Sequence, residues 1–191
     1  MPLLRTVMKL EQTMRNQSVP EDIIAQINPR GATSEEKIIE VIDQMDRLLS
    51  KEQCLSIMER HGCCKTGKAD KTSLEFGREH NGKTLEEKIK LIPQSDIAYI
   101  MQCALNADGT LSTFWGEDDP NGISTCGCYT IRELPKPVDI SKTYCACCGG
   151  LQRHIYQNAL SVQLRLIEVV SSRISSGGKK KCEFLFEIIG E

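Results

Sequence analysis

The sequence has 191 residues, of which 40% are hydrophobic and 26% are charged, with 24 basic and 26 acidic side chains. This composition is typical of a folded globular chain and excludes wholesale disorder. A net charge of −2 provides no electrostatic drive toward nucleic acid or an anionic membrane, so we expect neither as a partner. No apolar run reaches the roughly 18 residues of a membrane span, and the first residues do not read as a secretory signal. We therefore expect a cytoplasmic protein.

Residues 1–92 show the residue spacing of helices. Apolar side chains recur three and four positions apart between Leu3 and Met14, which predicts an amphipathic helix. Pro20 stands at the predicted start of a second helix over 21–27. Three pairs have the three-residue spacing of a capping box and predict further helix starts, namely Thr33 with Glu36, Ser50 with Gln53, and Thr84 with Glu87. Four to six packed helices are predicted for this half.

Short strand patterns replace the helical spacing in residues 93–191. The predicted elements are strands over 96–105, 111–115 and 123–134, a helix from Cys148 to Leu160, and strands over 162–172 and 182–189. Asn106-Ala107-Asp108-Gly109 predicts a hairpin turn between the first two strands. The predicted fold class is α+β, with a helical amino-terminal half followed by a mostly antiparallel sheet with one inserted helix. The two regions, 1–92 and 93–191, form separate units or one integrated domain.

The ten cysteines are the unusual feature of the composition. Because the cytosol keeps thiols reduced, we expect metal binding, catalysis or redox sensing rather than a disulfide scaffold. Residues two apart share a face of a strand, so Cys126 and Cys128 would present their thiols side by side. Cys145 and Cys147 would do the same ahead of the predicted helix, with Cys148 as the alternative to Cys147. Two such pairs supply the four thiolates of a closed tetrahedral zinc site.

The same cysteines leave other interpretations open. Cys147 or Cys148, at the start of the predicted helix, would have a lowered thiol pKa and serve as a nucleophile. His154 or His61 would then act as the base, and His61 is also a candidate extra metal ligand. The 63–64 cysteine pair would alternatively form a redox sensor with a later cysteine. Iron–sulfur ligation is the remaining alternative, although the spacings match neither common ferredoxin pattern.

The carboxy-terminal third carries an ordered set of features. Cys145 precedes a glycine-led helix, a strand with Glu168 follows, and a Gly-Gly turn leads to a final strand that begins Cys182-Glu183-Phe184. This order resembles the vinyl-reductase-type hydrocarbon-binding domain and the bacterial proteins grouped near the aminothiazoline-carboxylate hydrolases. Cys126-Gly127-Cys128 resembles a Cys-x-Cys of the second group. The resemblance implies an α+β domain that forms a homodimer and holds a small apolar ligand between its helices and sheet.

The resemblance also implies a position for zinc. Some relatives bind the ion through a cysteine before the helix, a glutamate and a cysteine on the next strand, and the last cysteine. Those positions are, in this chain, Cys145, Glu168, Ser171 and Cys182. A neutral serine hydroxyl is a poor zinc ligand, so Cys126, Cys128 or Cys147 would have to replace Ser171. The resulting hypothesis is a protein that binds a small apolar molecule and has a structural zinc site at Cys126, Cys128, Cys145 and Cys147. The alternative is a thiol-dependent hydrolase or a thiol redox sensor.

Overall fold

Helices form the first half of the chain and an antiparallel sheet the second, which confirms the predicted α+β class. The computed structural model describes residues 2–28, 37–61, 67–97, 102–122, 126–128, 131 and 139–190, with side chains from Lys9 onward. The helices are α1 (Pro2–Asn16), α2 (Glu21–Ile27), α3 (Lys37–Leu48), α4 (Lys51–His61), α5 (Lys68–Glu79), α6 (Leu85–Leu91) and α7 (Lys142–Leu160), with a 3-10 helix at Ile92–Gln94. The strands are β1 (Gln102–Leu105), β2 (Leu111–Trp115), β3 (Gln163–Ser171) and β4 (Cys182–Gly190).

Local capping signals explain why several helices begin where they do. At α4, the Ser50 hydroxyl accepts a hydrogen bond from the Gln53 N–H, and the Gln53 side-chain oxygen accepts one from the Ser50 N–H. Thr84 and Glu87 form the same reciprocal pair at α6. Both predicted capping boxes are therefore confirmed. The pair predicted at Thr33 lies outside the described residues.

Helix α5 has no counterpart in the sequence prediction. Its buried residues are Ser73, Phe76 and Gly77, so it lacks the wide apolar stripe by which an amphipathic helix is recognised. Gly77 instead allows close packing: a Cβ built on it would lie 2.2 Å from the carbonyl oxygen of Asn158 in α7. A helix that packs through small side chains leaves little periodic hydrophobic signal.

Helix α7 begins at Lys142, earlier than the predicted start at Cys148. The Ser141 side chain accepts a hydrogen bond from the Thr143 N–H at 3.2 Å, which is the arrangement of an N-cap. Cys145, Cys147 and Cys148 consequently lie inside the helix. In a helix, residues three apart share a face whereas residues two apart do not, so the expected side-by-side arrangement of Cys145 and Cys147 is wrong.

The sheet has the strand order β1-β2-β4-β3, and every neighbouring pair is antiparallel. The predicted turn at 106–109 joins β1 to β2, with a hydrogen bond from the Gly109 N–H to the Asn106 carbonyl. The strand predicted over 96–105 is shorter, since residues 96–97 form a turn and β1 begins at Gln102. The strand predicted over 123–134 is wrong where the chain is described: residues 126–128 are irregular and Ile131 is helical.

The inner face of the sheet packs against α7, which also contacts α4 and α5. A Cβ built on Gly149 of α7 would lie 3.1 Å from Phe184 and 2.8 Å from Leu166, so the helix lies directly on the sheet. Buried apolar side chains from the helices and the strands form a continuous cluster. None of the described helices combines the length and the apolar character that a membrane span requires.

Candidate functional site

A small cavity lies where residues 126–128 approach α7 and β4. Five cysteines line it, namely Cys126, Cys128, Cys145, Cys148 and Cys182. Its volume is about 50 Å³. A water molecule needs roughly 10–15 Å³ measured in the same way, whereas sites for drug-sized ligands occupy about 300–1,000 Å³. We refer to this space, lined by the five cysteines, as the thiol cavity. Its volume suits an ion or a few water-sized molecules and is too small for a hydrocarbon ligand.

Three separate parts of the chain bring the thiols together. Cys145 and Cys148 are three residues apart on α7, so they share one helix face. Cys182 begins β4 and pairs with Trp115 at the end of β2, which places the Trp115 side chain at the cavity. The irregular 126–128 segment supplies the other two thiols.

The 126–128 segment also contacts its surroundings directly. A Cβ built on Gly127 would lie 3.5 Å from the Trp115 ring, so the segment packs on that indole. The Cys128 sulfur lies 3.4 Å from the Tyr144 hydroxyl oxygen, and the Cys128 N–H donates to the Cys126 sulfur at 3.4 Å. The first of these hydrogen bonds holds the Cys128 thiol against Tyr144, in the first turn of α7.

The predicted zinc ligands are only partly grouped. Cys126, Cys128 and Cys145 line the same cavity, as the sequence hypothesis requires, but Cys147 is buried and does not line it. Cys148 and Cys182 line the cavity in addition. Within the described residues, no three Cys, His, Asp or Glu side chains already stand in the arrangement of a metal site. Zinc binding therefore stays a prediction.

The electrostatics of the cavity favour protonated thiols. Burial raises the pKa of Cys145 to about 12, and the neighbouring thiolates add to the shift. Burial also raises the pKa of Cys148 well above its ordinary value, with the nearby Cys145 thiolate as the next cause. A reactive cysteine needs a lowered pKa, and these thiols sit inside α7 rather than at its amino terminus. Neither Cys145 nor Cys148 therefore has the lowered thiol pKa of a catalytic cysteine.

Arg173 is the basic residue at this cavity. Burial raises the pKa of Cys182, while the backbone N–H of Arg173 and its positive charge oppose that shift. The guanidinium group also donates a hydrogen bond to the Glu117 carbonyl oxygen at 3.5 Å. Sequence analysis missed Arg173 because an arginine in a turn after a strand carries no recognisable signal.

The positions that the family resemblance implied for zinc do not meet. The Ser171 hydroxyl donates a hydrogen bond to the carbonyl oxygen of Lys181, the residue before β4, at 2.7 Å. Neither Ser171 nor Glu168 lines the thiol cavity. Cys145 and Cys182, the outer two of the implied set, do line it. The half-buried Cys126 and Cys128 line the cavity instead of the two β3 residues, Glu168 and Ser171, that the resemblance implied.

The histidines lie away from the thiols. The His154 Nε2 is 2.7 Å from an Asp70 oxygen, which links α7 to α5. His61 is 3% exposed and does not line the thiol cavity. Neither histidine is placed to act on a cavity thiol. The 63–64 cysteine pair lies outside the described residues.

A second, larger depression lies between α4 and β3, and we refer to it as the α4–β3 groove. Its volume is about 400 Å³. It is lined by Lys51, Glu52, Leu55, Ser56, Glu59, Arg165, Leu166 and Ile167. The β3–β4 register shifts between Leu166 and Glu168, so Ile167 occupies a bulge, a feature that bends an edge strand locally. Glu59, a buried lining residue, forms an ion pair with Arg153 of α7 at 2.6 Å.

Comparison with known proteins gives little further information. No family model matches the chain, and no curated protein matches it. Among solved structures, the crystal structure of an H-NOX protein from S. oneidensis in the Fe(II)NO ligation state is similar over 96% of this chain and 97% of that chain, at 11% identity. The TM-score is 0.34, which is too low to support a conclusion about fold family or function.

Proposed function

We propose that the protein binds zinc in the thiol cavity, through Cys126, Cys128, Cys145 and Cys182. The observation that carries the proposal is the meeting of five thiols from three chain segments in one cavity of about 50 Å³. Zinc in structural sites takes four thiolate or imidazole ligands in a tetrahedron. Cys182 replaces Cys147 in the ligand set because Cys182 lines the cavity and Cys147 does not.

The chemistry of the lining residues favours a soft metal ion. No carboxylate or imidazole is among the described residues that line the cavity, so hard ions such as Mg²⁺ and Ca²⁺ lack their preferred oxygen ligands. Four thiolates around a divalent ion leave excess negative charge, which the nearby Arg173 guanidinium offsets. Binding would require rotation of the cysteine side chains between staggered rotamers, because the thiols are not yet in a metal-binding arrangement.

The proposed role of the ion is structural. It would join the irregular 126–128 segment to α7 and β4, in addition to the contacts that this segment makes with Trp115 and Tyr144. Binding of an ion to the folded state alone stabilises that state by about 4 kcal/mol when its free concentration is about 1,000 times the dissociation constant. Zinc would therefore raise the free energy of unfolding of the whole carboxy-terminal half.

The test compares neighbouring cysteines of one helix. Protein purified anaerobically and loaded with zinc is expected to hold one ion per chain, measured by elemental analysis after desalting. Cys145→Ser should weaken zinc binding by more than the roughly 10–100-fold that loss of an outer-shell partner costs. Cys147→Ser is the matched control, since Cys147 is also buried in α7, and it should retain zinc. Absence of zinc from the wild type, or equal loss in both variants, would contradict the proposal.

A second candidate function is the binding of a small apolar molecule in the α4–β3 groove. The groove volume of about 400 Å³ lies within the about 300–1,000 Å³ typical of ligand sites. Three of its eight lining residues are apolar, namely Leu55, Leu166 and Ile167, and four are charged, including Lys51 and Arg165. A small apolar molecule would contact the three apolar side chains, and the charged groups would lie around it.

Nile red, an uncharged apolar dye, provides a probe of this groove. Its fluorescence is expected to rise on addition of the wild-type protein, with saturation at one dye per chain. Ile167→Trp should fill part of the groove and weaken dye binding at least tenfold, which corresponds to about 1.4 kcal/mol of binding free energy. Ile189→Trp is the control, because Ile189 is an exposed strand residue outside the groove. If both variants bound Nile red equally well, the dye would bind outside the α4–β3 groove.

A further inference from the structure

The thiol cavity contains one more cysteine than a tetrahedral ion requires. We propose that Cys148 is a resolving thiol, which forms a disulfide with Cys145 when peroxide oxidises the site and thereby releases the zinc ion. This inference rests on the zinc function proposed above and adds a means of regulating it. It assigns a role to each of the five cavity cysteines: four bind the ion and the fifth responds to oxidant.

The geometry selects Cys145 as the partner of Cys148. Both residues lie on one face of α7 because they are three positions apart, and their Cβ atoms are about 5–6 Å apart in a regular helix. A disulfide needs Cβ atoms about 3.5–4.5 Å apart, so the turn must tighten locally. Both cysteines lie in the first two turns of α7, and a 3-10 turn, which is common at helix amino termini, brings side chains three residues apart closer together.

An oxidant the size of hydrogen peroxide fits the cavity of about 50 Å³, since a water-sized molecule needs only about 10–15 Å³. Cysteines that bind zinc are deprotonated, so Cys145 of the zinc-loaded protein would be a thiolate. Its sulfur attacks one peroxide oxygen, an S–O bond forms, and the O–O bond breaks. The departing hydroxide takes a proton from solvent and becomes water. Cys145 is then a sulfenic acid, which no longer serves as a thiolate ligand.

The second step uses the spare thiol. The Cys148 sulfur attacks the Cys145 sulfur, an S–S bond forms, and the S–O bond breaks. The hydroxide leaves with the Cys148 proton as a second water molecule. In sum, two cysteine sulfurs are oxidised and one peroxide is reduced to two waters. Since the disulfide withdraws Cys145 from the ligand set, three thiolates remain and the ion dissociates. A dithiol reductant restores both thiols.

The experiment loads the full chain with zinc anaerobically and compares the wild type with Cys148→Ser and Cys147→Ser. All three proteins should hold one ion before oxidation, because neither replaced residue is a proposed ligand. Peroxide in tenfold excess should release zinc from each, measured with a chromogenic chelator. Mass spectrometry should find a Cys145–Cys148 disulfide in the wild type and in Cys147→Ser.

Recovery after reduction then distinguishes the variants. Dithiothreitol and fresh zinc should restore at least tenfold more zinc binding in the wild type and Cys147→Ser than in Cys148→Ser. Without a resolving thiol, Cys145 proceeds to the sulfinic acid, which the dithiol does not reduce. Equal recovery, a disulfide between other residues, or loss of zinc from Cys148→Ser before oxidation would overturn the inference. A wild type that takes up no zinc at the loading step would refute the zinc function itself.

Discussion

Replacement of Gly150 by alanine is expected to destabilise the protein severely, because α4 and α7 are in backbone contact at this residue. A Cβ built on Gly150 would lie 2.0 Å from the carbonyl oxygen of Glu59 and 2.8 Å from its carbonyl carbon. Backbone atoms inside a helix cannot move away at low cost, so the two helices would have to separate. We expect a loss at or above the upper end of the about 1–3 kcal/mol that overpacking costs.

Thermal unfolding followed by circular dichroism measures this effect. A loss of about 3 kcal/mol corresponds to a decrease in Tm of roughly 6–12 °C in a chain of this size. Gly149→Ala should cost less, since the atom that its Cβ would meet at 2.8 Å is the end of the Leu166 side chain, which can rotate. Gly82→Ala is the matched control, because nothing lies within 4 Å of its Cβ position.

The decisive observation is the order of the unfolding temperatures of these three variants. If Gly150→Ala unfolded at the same temperature as Gly82→Ala, α4 and α7 would not be in contact at Gly150. The result also bears on the thiol cavity, since Cys148 and Cys145 lie on the same helix two and five residues before Gly150. A shift of α7 would displace both thiols, so Gly150→Ala should also reduce zinc binding.

Acidification is expected to destabilise the protein through His61. This side chain is 3% exposed, and burial lowers its pKa from the ordinary 6.5 to about 4, with the positive charge of Lys9 as a smaller cause. The folded state therefore holds the imidazole neutral, whereas the unfolded chain protonates it at higher pH. The contribution to stability is complete above pH 6.5 and is lost as the pH falls toward 4. A pKa difference of this size corresponds to at most about 3 kcal/mol.

Denaturant unfolding at about pH 7 and about pH 5 measures this dependence. The free energy of unfolding of the wild type should fall by about 2 kcal/mol over this interval. His61→Gln removes the titrating group, so the decrease should become much smaller even if the variant is less stable at neutral pH. His80→Gln is the control, since His80 is only half-buried and packs edge-on against Phe76. An unchanged decrease in His61→Gln would assign the acid sensitivity to other groups.

Short-range interactions account for the parts of the fold that the sequence predicts correctly. The Ser50–Gln53 and Thr84–Glu87 caps, the turn at 106–109 and the terminal β3–β4 hairpin each depend on residues close together in the chain. Their stabilising contacts are local, so their residue patterns suffice. Helix α5 was not predicted because its packing on α7 depends on Gly77 rather than on a wide apolar stripe.

The choice of cysteines for the proposed zinc site depends on more than residue spacing. The sequence alone indicated that clustered cysteines form the candidate site, and residue spacing brought the 126–128 and 145–148 regions into the hypothesis. It did not indicate which thiols of α7 share a face, because that depends on the helix start at Ser141. A start at Cys148 would leave Cys145 and Cys147 in extended chain, whereas the actual start pairs Cys145 with Cys148.

The sequence by itself determined the α+β class, most helix and strand positions, and the presence of a thiol-rich site, because adjacent residues set periodicity, caps and turns. The tertiary structure alone decided that Cys182 and Arg173 join the cavity while Cys147, Glu168 and Ser171 do not. Those placements follow from the pairing of β4 with β2 and from the packing of α7 on the sheet. Both are contacts between distant parts of the chain, which no local pattern of residues encodes.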